Sequence, residues 1–185
     1  MQFEGLPEVD WAGIRHAHGA ATDVPDMLER LCSADPAVRG EACGELFETV
    51  WHQGTIYSAS AEILPFLFQI VAQRNKFSPG EVDGQSIPSS DEIAVGLICS
   101  IATGETWLRD AVRIDGLEVV QARLEQQGRS LPEEQELERQ TLERIKEFLL
   151  GNAGSLEAYR TTPEGLGEIV EEALERIESQ MRSRP

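Results

Sequence analysis

The stretch Asp23-Val-Pro-Asp-Met-Leu-Glu-Arg-Leu31, continued by Ser33-Ala-Asp-Pro-Ala-Val-Arg39 and the run to Val50, decides the fold. Val24, Met27, Leu28 and Leu31 recur at three- and four-residue intervals, which is the period of one helix face. Asp23 stands where an N-cap belongs, and Pro25 fits the first turn, where a missing N–H costs nothing. Asp35-Pro36 repeats the start signal. Val38, Ala42, Leu46 and Val50 then follow at four-residue spacing, with Cys43 and Phe47 widening the stripe. The link Ser33-Ala34-Asp35 is so short that the two helices must lie nearly antiparallel.

Helical signals continue outward from this pair. The second helix should close near His52-Gln53-Gly54-Thr55, with Gly54 free to adopt the left-handed conformation of a C-cap. A third helix is expected over about 58–74, kinked or restarted at Pro65 because proline removes a donor and crowds the preceding turn. Residues 75–90, rich in Gly, Pro and Ser, read as a long surface loop. Ser89 with Glu92 forms a capping box, opening a helix through Ile93, Leu97, Ile98 and Ile101 that Gly104 should end. From Thr106 to Gln127, Trp107, Leu108, Val112, Leu117, Val120 and Leu124 suggest one or two short helices broken around Asp115-Gly116. Ser130 with Glu133 caps another helix, with Leu137, Thr141, Ile145, Phe148 and Leu149 on its buried side and Gly151 at its end. Thr161 with Glu164 caps the last, whose apolar face carries Leu166, Ile169, Val170, Ala173, Leu174, Ile177 and Met181. No stretch shows sustained strand alternation between hairpin signals. The class is all-α, and periodicity alone leaves both a compact bundle and an α-solenoid of stacked pairs open.

Asp and Glu number 33 against 16 Lys and Arg in 185 residues, a formal net charge of -17. At 41% hydrophobic residues the chain can build a core, so its acidity does not imply disorder. Neither half is basic, which argues against nucleic acid as a partner, since phosphates are met by Lys and Arg. The amino terminus lacks a basic and then apolar signal segment. The longest apolar stretch, Ile63 to Ala72, is half of what a membrane span needs. A cytoplasmic protein without membrane contact is the expectation. Cys32, Cys43 and Cys99 sit in apolar helical contexts and read as buried thiols.

No catalytic or metal-binding constellation stands out, and neither an enzyme nor a cofactor is expected. His16 and His18 do not share a helix face and lack Cys or carboxylate at the spacing of zinc sites. Glycines such as Gly80 and Gly84 lack a phosphate-binding signature. Glu41, Glu45 and Glu48 share one face of the second helix, and Glu164, Glu168, Glu171, Glu172, Glu175 and Glu178 line the last. His52 and Tyr57 either hold a turn or serve recognition. Trp107, in a less regular region, either fills core or anchors a partner.

The stretch from Asp23 to Arg39 resembles the helical pairs of HEAT-like repeat proteins, in which Asp-Pro opens a second helix carrying Val and Arg near its start. Trp51-His-Gln-Gly-Thr-Ile-Tyr-Ser-Ala-Ser-Ala-Glu-Ile-Leu-Pro-Phe-Leu67 is similar to a bacterial HEAT-like family in which His-Gln-Gly-Thr links one pair to the next. Trp11-Ala-Gly-Ile-Arg-His-Ala-His-Gly-Ala-Ala-Thr-Asp-Val-Pro25 fits the same pattern. The resemblance spans about 10–103 and leaves 104–185 unmatched. The length fits one domain over 1–185, and the resemblance implies an α-α superhelix of short antiparallel pairs used as a protein-binding scaffold, and no catalytic residues. In such stacks the second helix of a pair lines the concave surface, which would turn Glu41, Glu45 and Glu48 toward a partner. Small acidic members resemble immunity proteins, so the expected function is binding and occluding a basic toxin domain that acts in the cytoplasm. A general adaptor or regulatory scaffold is the alternative. His52, Tyr57 and Trp107 complete the expected partner-binding set.

Overall fold

The computed structural model describes residues 2–73, 78–162 and 165–182, with side chains through Ser179. A short hairpin, β1 (Arg15–His16) and β2 (Gly19–Ala20), precedes α1 (Val24–Leu31) and α2 (Pro36–Val50). Asp35 caps α2 as expected: its carboxylate accepts the Ala37 N–H at 2.9 Å, with Pro36 in the first turn. Asp23 does not cap α1. Its backbone is already helical, and its carboxylate turns back to His16 Nε2 at 2.9 Å. Val24, Met27, Leu28 and Leu31 are buried against α2, together with Ala42, Leu46 and Val50.

The second helix ends earlier than the glycine signal suggests. A hairpin of β3 (Trp51–His52) and β4 (Thr55–Ile56) follows Val50 directly. Gln53 and Gly54 take positive φ angles of 52° and 86°, so Gly54 serves a tight hairpin turn rather than a helix C-cap. Next, α3 (Ser58–Ala72) runs through Pro65 without the expected restart. Ile63, Leu64, Phe66, Leu67, Ile70 and Val71 are all buried around that proline, and their burial outweighs the lost bond.

The expected long loop contains a third hairpin, β5 (Gly80–Val82) and β6 (Gln85–Ile87), turning at Asp83-Gly84; residues 75–77 lie outside the described ones. Asp-Gly is a type I′ signal, but the flanking strands are three residues long, too short to show an alternating pattern in the sequence. The hairpin rests on α2 and is anchored by Arg39, which is 1% exposed. Its guanidinium donates to three backbone carbonyls: Pro88 O at 3.0 Å, Ser33 O at 2.9 Å and Ser78 O at 2.9 Å.

The Ser89–Glu92 capping box opens α4 (Ser90–Thr103), which stops at Gly104. β7 (Glu105–Thr106) then pairs in parallel with β4, completing a β3-β4-β7 sheet. The chain continues into α5 (Trp107–Asp115), breaks at Gly116 as expected, and forms α6 (Leu117–Gln126) and α7 (Leu131–Asn152). Ser130 caps α7, which ends one residue past Gly151. Two 3-10 turns lead to α8 (Leu166–Arg182). The Thr161–Glu164 cap falls partly outside the described residues, as does the Met181 side chain.

The fold is mostly helical, and α3 and α4 form its centre. α7 packs on α3, and α8 packs on α4 through Val170, Ala173, Leu174 and Ile177. Ile169, expected on that buried face, is 45% exposed, and Leu137 on α7 is also exposed. Leu108, Val120 and Leu124 make a separate small core beneath α5 and α6. Cys32 and Cys99 are buried, Cys43 is half-buried, and no disulfide joins them. Among the described residues no helix is long and apolar enough to cross a membrane.

Candidate functional site

The residues expected to bind a partner fall on two separate surfaces. The first is the acidic face of α2, where Glu41, Glu45 and Glu48 are all exposed. Glu45 is not free to meet a partner unaided. Arg30 on α1 grips both its oxygens, with Nη1 to Oε1 at 3.2 Å and a shorter Nη2–Oε2 contact, while Arg30 Nε holds Asp26 at 2.7 Å. The hydrogen bonds Arg30 donates to Glu45, more than the one it donates to Asp26, raise the guanidinium above its ordinary range. Glu48 Oε2 lies 3.1 Å from His52 Nδ1. Glu41 has no ion pair among the described residues.

The hairpin turns bring all three histidines into one row beside this face. The His18 ring is 5.5 Å from His52 and 6.0 Å from His16, so residues that share no helix face meet on adjacent hairpins. Buried His16 uses both nitrogens. Nδ1 accepts the His18 N–H at 3.0 Å, so the ring proton is assigned to Nε2, facing Asp23. Among the described residues no group of three His, Cys, Asp or Glu is placed to hold a metal ion.

The second surface is a cleft of about 280 Å³ between the β1 and β4 hairpins and α5, α6 and α7. Tyr57 and Trp107 stand in its walls, over an apolar floor of Ile56, Val120, Leu124 and Leu137. Ser58 fixes β1 to the start of α3: its Oγ accepts the Arg15 N–H at 3.0 Å and donates to Arg15 O at 3.2 Å. From α7, Glu138 Oε1 accepts the N–H groups of Leu108 at 3.1 Å and Arg109 at 3.4 Å. It thereby satisfies the open end of α5 and sets Trp107 in place. Arg129 Nε donates to buried Glu134 at 2.6 Å, and its guanidinium carbon lies 5.3 Å from the Trp107 ring centre. Burial, with the Asp110 charge second, pushes the Tyr57 phenol above its ordinary range. The tyrosine therefore acts here as a neutral donor or apolar wall.

Arg15, Arg123 and Arg129 outnumber Glu134 and Glu138 in this lining. Both glutamates are engaged, and Arg123 is held by Asp115 at 2.7 Å. Arg15 is exposed and makes no ion pair among the described residues. None of Arg15, Arg129, Glu134 or Glu138 is legible as a site residue in the sequence: Glu134 and Glu138 share a face of α7 like many other charged helix residues, and Arg15 and Arg129 reach the cleft from separate segments. The cleft therefore unites Tyr57 and Trp107, whereas Glu41, Glu45, Glu48 and His52 form the other surface. No protein-family model, no curated protein and no solved structure matches this chain.

Proposed function

We propose that this chain is an acidic, protein-binding helical-repeat protein, and specifically an immunity-type inhibitor that binds and occludes a basic bacterial toxin acting in the cytoplasm. The observation that carries this reading is how the surface charge is disposed. Arg30, Arg109, Arg113, Arg123, Arg129, Arg139, Arg144 and Arg160 are each already matched by a neighbouring carboxylate. With 33 acids to 16 bases, the surplus carboxylates, Glu41 among them, have no internal counterpart. Their field draws in a cationic partner, whose arrival relieves the like-charge crowding. A HEAT-like stack fits the same purpose. The pairs α1–α2, α3–α4 and α7–α8 read as three layers, with α5–α6 inserted before the third, and the contacts of α7 on α3 and α8 on α4 support that order.

The test is affinity capture of the tagged chain at low and moderate salt, followed by growth protection against the captured partner. A stoichiometric basic enzyme whose toxicity the chain abolishes is the expected result. Glu41→Lys with Glu48→Lys should weaken that complex at least tenfold and flatten its salt dependence. Glu45→Lys also breaks the Arg30 pair, so it is compared separately. Unchanged affinity would remove the α2 face from the interface. Tight binding without protection would leave a scaffold.

A further inference from the structure

We propose that the cleft between the hairpins and α5–α7 binds one small organic anion with a flat apolar body, of the aromatic carboxylate class, independently of any protein partner on α2. Three observations converge on that ligand. The cleft measures about 280 Å³, at the small end for ligand pockets, and so suits a single compact molecule better than an extended peptide. Its body contacts are apolar and aromatic: Ile56, Leu124 and Leu137, with Tyr57 and Trp107 in the walls. Its charges are biased against the rest of the molecule. On a chain of net charge -17, this lining holds Arg15, Arg123 and Arg129 against Glu134 and Glu138; Arg123 is paired to Asp115 and Arg129 to Glu134, which leaves Arg15 as the cation placed to meet a ligand.

The repulsion these glutamates offer an incoming anion is reduced at both, by a counter-charge at one and by fixed N–H dipoles at the other. Glu134 is ion-paired to Arg129, and Glu138 is spent on the N–H groups of α5. Arg15 makes no ion pair among the described residues. Tyr57 and Ser58, the cap and first residue of the fifteen-residue α3, also line the cleft and bring the positive end of that helix dipole to it. The ring of the ligand would lie among Tyr57, Trp107 and Leu124, with its carboxylate toward Arg15. A long polyanion would have to cross the acidic remainder of the surface, which restricts the ligand to a small one.

The experiment compares 2-naphthoate with its uncharged isostere 2-naphthamide, by calorimetry and by the indole N–H resonance of Trp107 in the full-length protein. The acid should bind once per chain and about fivefold tighter than the amide, the upper range for one exposed ion pair. Added salt should shrink that gap. Arg15→Gln, at an exposed position that leaves the core intact, should erase the preference while the amide binds as before. Trp107→Phe should weaken both compounds. The proposal is overturned if neither compound binds up to about 5 mM, a range that still reports affinities near the weak limit. It is equally overturned if acid and amide bind alike, or if the preference for the acid survives Arg15→Gln.

Discussion

Replacing Arg39 by alanine should be among the most damaging single changes in this protein, although no expected functional residue is involved. The side chain is 1% exposed, and its three donors each reach a different piece of backbone. Nη1 holds the α1–α2 link at Ser33, Nη2 holds the segment leading into β5 at Ser78, and Nε holds Pro88 just before α4. Burial pushes the guanidinium below its ordinary range and the Asp35 charge opposes that shift, so the charge is tolerated because its donors are filled. Alanine leaves three carbonyls without their donor and a cavity beneath the hairpin. Hydrogen bonds to a charged group are worth about 1.5–3 kcal/mol each, and dismantling such a buried set typically costs about 3–5 kcal/mol. That is a large part of a total stability of about 5–15 kcal/mol. Lysine, a point donor, can satisfy one or two carbonyls and should recover part of the loss, whereas methionine restores only the packing. Urea unfolding followed by far-ultraviolet circular dichroism gives the energies, and amide exchange over residues 80–90 shows where protection is lost. A loss below about 1 kcal/mol for Arg39→Ala would refute the claim that this side chain ties the three segments together.

Two further outcomes follow from local geometry. A Cβ on Gly104 would sit 2.7 Å from Ile56 Cγ2 and 3.2 Å from Trp51 Nε1, so Gly104→Ala should cost about 1–3 kcal/mol and alter Trp51 fluorescence. Gly44, inside α2 with nothing near its would-be Cβ, provides the opposite case: Gly44→Ala should raise stability by about 0.5–1 kcal/mol in the same urea unfolding measurement. Burial pushes the Cys99 thiol up to about 12, so its labelling by iodoacetamide in the native protein should stay negligible from pH 7 to 9 and appear on unfolding. The folded state keeps that proton where the unfolded chain, with a thiol near 8.5–9, releases it. Stability should therefore fall as pH rises from about 9 toward 12, by up to about 1.4 kcal/mol per pH unit from this group. Fast native labelling at position 99 would show that the α4 core opens readily.

Much of the helical framework is legible because its signals are local. Asp35-Pro36, the Ser89–Glu92 box, Gly104 and the break at Gly116 act within one turn, and each appears where its residues indicate. The errors arise where a local signal meets a distant partner. Asp23 has the chemistry of a cap, but His16 claims its carboxylate from across a hairpin. Gly54 can end a helix, yet pairing of Trp51-His52 with Thr55-Ile56 makes it a hairpin turn. Pro65 should kink or restart α3; the helix does not restart, and apolar neighbours are buried around the proline. These contests are decided by burial and pairing energies that a window of ten residues does not contain.

The site divides along the same line. The sequence by itself determines a mostly helical chain, a strong negative charge and a glutamate stripe on α2, since helix period and charge depend only on residue order. Only the tertiary structure decides which of those charges are spent. Arg30 consumes Glu45, Glu138 closes α5, and Arg129 takes Glu134 beneath Trp107. Tertiary packing alone also brings Arg15 from the first hairpin to face α5, α6 and α7 around one cleft. The reason is physical: an ion pair or a cleft wall depends on distances of a few ångströms between segments far apart in the chain, and folding sets those distances through the packing of α3, α4 and α7.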